Sequence, residues 1–155
     1  MTESLDIFQA LFPASTTAYR GGHVPLVFFV LIAIMSTVRS LVHLLAPDGG
    51  AASIAGINLA VAGGSNIVAI FSQRGASQLL LAFVQWLVIW RYRFLVPAML
   101  AVVALEQLLR IFAGRLKPLE VDTAPPGKYG TYIVLVLSLL FLALAVRNCH
   151  QRQRA

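Results

Sequence analysis

Acid is what this chain has least of. It carries 6 aspartates and glutamates against 12 lysines and arginines in 155 residues. Charge of both signs together reaches 12%, half of the roughly 25% usual in a soluble domain. Hydrophobic residues make up 59%, and mean hydropathy is +0.81, so the expected solvent is lipid. A single cysteine, Cys149, excludes an intrachain disulfide, a Cys-x-x-Cys redox centre and a cysteine-rich metal site. Its juxtamembrane place allows a lipid anchor, although an idle thiol is the simpler reading. The three histidines form no His-x-x-x-His or Glu-x-x-His pattern, so no metal or haem site is expected. Gly-x-Ser-x-Gly, P-loop and zincin motifs are missing. No catalytic residue and no cofactor is assigned, and an enzyme is not the expected reading.

What is present is a set of long apolar runs. One, Phe94 to Phe112, is long enough to cross a bilayer and carries Glu106, Gln107 and Arg110. Glu106 is the only acid inside any such run. The expected fold is an all-α integral membrane protein in one domain, with four transmembrane helices in an up-down bundle. The spans fall at about 24–46, 75–92, 94–113 and 129–146. Pro25 and Pro97 suit first helical turns. Pro47 to Gly50 end the first span, and Gly114 is expected to cap the third. Residues 1–23 carry Glu3 and Asp6 and lack a basic start, so a retained interfacial helix with a Gly21–Gly22 hinge is expected rather than a cleaved signal. The stretch 51–73 is rich in Gly and Ala and has Asn58, Gly63, Gly64, Ser65 and Asn66 at its centre. That makes a poor helix interior, and a re-entrant or interfacial hairpin is expected. Pro118, Pro125, Pro126 and Gly127 predict a loop before the fourth span.

Net charge is +6 and the sequence pI about 10.3. The basic residues lie beside the apolar runs, where they orient helices and meet anionic lipid; nucleic acid is not an expected partner. With four spans, Arg20, Arg91, Arg93, Arg147, Arg152 and Arg154 share a side. That richer side places both termini in the cytoplasm of a bacterial cell, with the bundle in its inner membrane.

A charge within hydrocarbon demands a partner, because leaving it isolated costs several kcal/mol, roughly 2.5–3.5 on insertion scales. Arg39 on the first span and Glu106 on the third reach similar depths, and an Arg39–Glu106 ion pair is expected. His43 lies one turn beyond Arg39, and Arg110 one turn beyond Glu106. With Gln107, Gln78 and Gln85 they complete a candidate polar, ligand-binding core. Two arginines against one carboxylate leave it net positive. Either Arg110 snorkels to the interface beside Arg115 and the pair is a structural staple, or a bound anion, a lipid head group or a neighbouring subunit's terminus supplies the missing charge.

Four pieces of sequence carry a family likeness: Gly75–Gln78 followed by LLLAF, RYRFLVP at Arg91–Pro97, LEQLLR at Leu105–Arg110, and GRLKP with PPG at Gly114–Pro118 and Pro125–Gly127. In these the chain resembles small uncharacterised bacterial four-helix inner-membrane proteins, similar to DoxX-like families. The resemblance implies an inner-membrane bundle and assigns no chemical role to any residue. The functional expectation is a non-enzymatic binding or accessory subunit. Its partners are membrane lipids, an anionic or amphipathic ligand, a partner membrane protein or further copies of itself. A small transporter or channel using Arg39, His43 and Glu106 is the alternative, and a lipid-modifying enzyme the third reading.

Overall fold

In a computed structural model, residues 18–119, 121 and 126–154 are described. The expected interfacial helix falls mostly on residues 1–17, outside the described part. Four long helices account for most of the rest: α1 (His23–Leu45), α2 (Gly64–Trp90), α3 (Val96–Leu116) and α4 (Pro126–Arg154). A 3-10 turn, Arg93–Leu95, leads into α3. No strand occurs among the described residues. All four helices are long and apolar enough to cross a membrane, which makes the chain, by length and composition, a multi-pass membrane protein.

Each helix forms for local reasons. α1 and α3 have proline in the first turn, where the missing N–H costs nothing. Their buried positions recur at helical spacing: Pro25, Phe29, Ile32, Ala33 and Ser40 on α1, and Val96, Leu100, Val103, Ala104 and Gln107 on α3. A third of the most apolar window of each is buried, 33%, against 11% for α2 and α4. α1 and α3 are therefore the inner helices, while α2 and α4 present most of their surface outward. The tight core lies at one end, where Phe29, Ile32, Val88, Val96, Leu100, Val103 and Ala145 meet. In lipid no hydrophobic drive joins such helices, so dispersion contacts and interhelical hydrogen bonds must hold them.

α1 packs chiefly on α2, and α3 on α4, while the contact between these two pairs is thin. In the α1–α2 contact the Trp86 indole N–H donates to Thr37 Oγ1 at 3.0 Å. Gly75 lies against the backbone of His43 and Leu44, so close that an added Cβ would sit 2.7 Å from the Leu44 nitrogen. Only a residue without a side chain permits that approach.

Several expected boundaries shift. α2 begins at Gly64 rather than Gly75, so the second half of the 51–73 stretch is the first third of a continuous helix. The reason is Gly63. Its φ of 88° puts it in the left-handed region and makes it the residue before the helix, with Gly64 folded under the Leu59 carbonyl. The glycine pair is thus a helix start, not a mid-helix break. Residues 46–63 contain turns and no helix or strand. Gly114 does not end α3, which runs to Leu116, and Pro126 starts α4 instead of lying in a loop. α4 continues past Val146 to Arg154.

Candidate functional site

The expected Arg39–Glu106 ion pair is replaced by a different one. Glu106 is bound by Arg110 of its own helix, through Arg110 Nε at 3.0 Å and a second, shorter contact from the other guanidinium nitrogen. The reason is reach. Residues four apart on a helix are adjacent, and a forked guanidinium closes on a carboxylate of its own helix without any help from a neighbour. Arg110 therefore stays with the core rather than snorkelling to Arg115. Both side chains are only partly buried, and no charged residue is fully buried among the described ones.

Arg39 is left with no ion pair among the described residues. It lines a cavity of about 160 Å³ between α1, α3 and α4. Ile32, Met35, Ser36 and Arg39 come from α1, Val103, Glu106 and Gln107 from α3, and Gly127, Gly130, Thr131 and Val134 from α4. The structure thus brings Arg39, Glu106 and Gln107 of the expected core together, with Arg110 behind Glu106. Gln107 is 7% exposed, and its side chain makes no hydrogen bond among the described residues. Its amide atoms are not among the fully buried unpartnered ones, so they are reached from the cavity and can bond an occupant there.

His43, Gln78 and Gln85 are not part of this wall. The His43 ring bonds the Gly49 carbonyl, Nδ1 to O at 2.7 Å, and meets Phe71 edge-on. It holds the turn after α1 in place rather than extending a charge network. Gln78 and Gln85 lie on the packed face of α2, each with a buried Oε1 that has no partner.

Two participants were not expected. Arg74, one residue before the expected second span, stands ten residues into α2, exposed and outside the cavity lining, and interacts electrostatically with Arg39, Arg110 and Glu106. Only the earlier start of α2 at Gly64 reveals it as a helical residue. Thr131 is the other. Thr131 and the two glycines near it, in a long apolar run, form one side of the cavity. The Thr131 hydroxyl donates to the Gly127 carbonyl at 2.8 Å, which leaves its lone pairs toward other partners. Gly127 and Gly130 have nothing within 4 Å of where a Cβ would stand.

Away from the cavity, two features fix the ends of the helices. Asp48 accepts from the N–H groups of Gly50, Ala52 and Ser53 at 2.9, 3.1 and 2.7 Å. The Ser53 and Gly50 bonds favour the ionised form and hold the carboxyl near about 2. At the other end, Asn148 Nδ2 donates to the Gly21 carbonyl at 2.8 Å, and the Tyr19 hydroxyl donates to the Gly22 carbonyl. Burial raises the Tyr19 phenol to about 12. The segment read as a glycine hinge is therefore latched to α4.

No group of histidine, cysteine or acidic residues among the described ones has a metal-binding arrangement. No protein-family model matches the sequence, and neither a curated protein nor a solved structure matches it significantly.

Proposed function

We propose that this chain is a membrane-embedded binding protein whose three-helix cavity holds an anion on Arg39 and Gln107. The observation that carries the reading is the division of labour between the two arginines. Arg110 neutralises Glu106, and Arg39, with no ion pair among the described residues, lines a cavity that the Gln107 side chain also lines without a hydrogen bond among them. Among the described residues, Arg39, Arg74 and Arg110 interact with one another and with a single acid. An excess of positive charge in a low-dielectric place draws a counter-ion, because each unpaired charge there costs several kcal/mol, roughly 2.5–3.5 on insertion scales. Such a protein acts by holding its ligand or presenting it to a partner, and no step of bond making is assigned to it.

The reading comes with a topology. α1 to α4 cross in up-down order in a bacterial inner membrane, with both termini in the cytoplasm. The contacts of Thr37 with Trp86 and of His43 with Gly75 support opposed directions for the first two helices. The excess of arginine beside the termini supports the orientation. Segment 46–63 then lies on the opposite surface rather than re-entering. Asp48 favours this, because a carboxyl held near about 2 is ionised and suits water. Arg39 is six residues from the end of α1, about 9 Å along the axis, so the anion lies below that same surface.

Native mass spectrometry of the chain released gently from its own membrane tests this. Wild type is expected to retain an anionic species that Arg39→Gln loses. Identical bare spectra for both would overturn the reading.

A further inference from the structure

The cavity has a tail as well as a head. Counting back from Arg39 by fours, α1 shows Met35, Leu31 and Val27, one above another on a single ladder of the helix. All three are exposed, at 45%, 58% and 58%. Met35 lines the arginine cavity, and Leu31 and Val27 line a second one of about 300 Å³ that is almost wholly apolar. Both cavities sit where α1 faces α4. On α4 the facing positions are Thr131 and Val134 at the charged end and Phe141 at the apolar end, where Phe141 stacks on Phe28 at 4.4 Å. This is the thin contact between the two helix pairs. From Arg39 to Val27 the ladder covers about 18 Å at 1.5 Å per residue. One leaflet of hydrocarbon is about 15 Å, half of the ~30 Å core. The groove therefore has the length of one lipid tail, ends in a guanidinium, and lies open to the bilayer along its side.

The charge at the head narrows the class further. Arg39 and Glu106 line the cavity, Arg110 holds Glu106, and Arg74 stands outside the lining on α2, so the charge left in excess at the cavity is that of Arg39. An anionic phospholipid head group supplies at least one negative charge and several strong acceptor oxygens to match it. Arg39 and the Gln107 amide supply donors from two helices.

We propose that the occupant is a membrane lipid with an anionic phosphate head group. It slides in laterally between α1 and α4, its phosphate on Arg39 and Gln107 and one tail along Met35, Leu31 and Val27. This rests on the anion-binding reading above and specifies its ligand. In the topology proposed above, the head group belongs to the leaflet away from the cytoplasm.

The test uses the full chain in phosphatidylcholine vesicles containing a trace of phosphatidic acid with a photoreactive group in its tail. Cross-links are expected on Val27, Leu31, Met35 and Phe141. Arg39→Gln should cut that labelling about tenfold, the equivalent of one charged hydrogen bond. Gly130→Leu keeps every charge and fills open space in the cavity wall, and it should reduce labelling equally while the helix content stays unchanged. Photoreactive phosphatidylcholine should label outward residues such as Leu80 and Ile133 instead, indifferent to either variant. Photoreactive phosphatidylglycerol, also anionic, should label the groove as phosphatidic acid does, and labelling by it no stronger than by phosphatidylcholine would overturn the requirement for an anionic head group. If inorganic phosphate competes as effectively as unlabelled phosphatidic acid, the tail is overturned. If all head groups label alike and neither variant matters, the groove holds only bulk lipid, and the anion reading falls with the proposal.

Discussion

α1 has two kinds of neighbour, and glycine plays opposite parts beside them. Against α2, Gly75 lets backbone meet backbone, and an added Cβ would lie 2.7 Å from the nitrogen of Leu44 and 2.9 Å from the carbonyl carbon of His43. Against α4, Gly127 and Gly130 leave space that nothing among the described residues fills. The first contact uses the missing side chain to close an interface by dispersion, which is how membrane helices associate. The second uses it to keep an interface open beside a charge. A glycine in an apolar run is therefore ambiguous until its neighbours are known.

Substitutions at the two kinds of glycine separate these roles most strongly. Gly75→Leu is expected to force α1 and α2 apart, with an overpacking cost of about 1–3 kcal/mol or more, because the atoms in the way are backbone. Unfolding in a mixed-micelle denaturant series should show a clear loss of stability. Gly130→Leu in the same assay should lie near wild type. Equal destabilisation by both would erase the contrast.

A smaller effect of opposite sign is expected within the α1–α2 contact. Gln85 is 1% exposed, and its Oε1 has no partner. Gln85→Leu removes a buried polar atom and should leave stability unchanged or raise it by about 1 kcal/mol. A loss above that size would mean that the amide is bonded after all. Trp86→Phe breaks the bond to Thr37 and should cost only about 0.6 kcal/mol, the average for hydrogen bonds between membrane helices.

The smallest effect is a pH dependence at the turn that joins α1 to α2. The Asp48 carboxyl is lowered from 3.8 to about 2 in the folded chain. The ionised form is the one that accepts the turn's N–H groups, so its contribution is complete above pH 3.8 and is lost as pH falls toward about 2. Asp48→Asn should flatten that part of the stability–pH curve. An unchanged slope in the variant would assign the acid sensitivity to another group.

The residues of the cavity show how far the sequence reaches. Four apolar runs located four helices, because length and hydropathy report directly on a bilayer's thickness. Glu106, Arg39, Gln107 and Arg110 stood out in the sequence, because charge within an apolar run has to be explained, and the first three line one cavity. The partnering was not legible. Arg39 and Arg110 both reach the depth of Glu106, and only the side-chain geometry assigns the acid to Arg110, leaving Arg39 without an ion pair among the described residues. Gly63 and Gly64 looked like a break because propensity carries no sign of φ. The left-handed Gly63 turned the pair into a helix start and carried Arg74 into α2. His43 shares the ladder of Arg39 yet serves the turn at Gly49, a difference set by a loop backbone that no side-chain pattern encodes. Thr131 was passed over because a hydroxyl in a hydrophobic run is common, and nothing local marks the one that faces a cavity.

The most direct test of the central claim is a magnetic-resonance contact between the lipid phosphorus and the arginine side chains. The chain would carry nitrogen-labelled arginine in vesicles containing phosphatidic acid, with phosphorus-dependent dephasing read at each guanidinium. The expected result is strong dephasing at Arg39 that disappears in Gly130→Leu, where the charge remains and the room does not. Dephasing confined to surface arginines such as Arg115, with Arg39 silent in wild type, would contradict the claim.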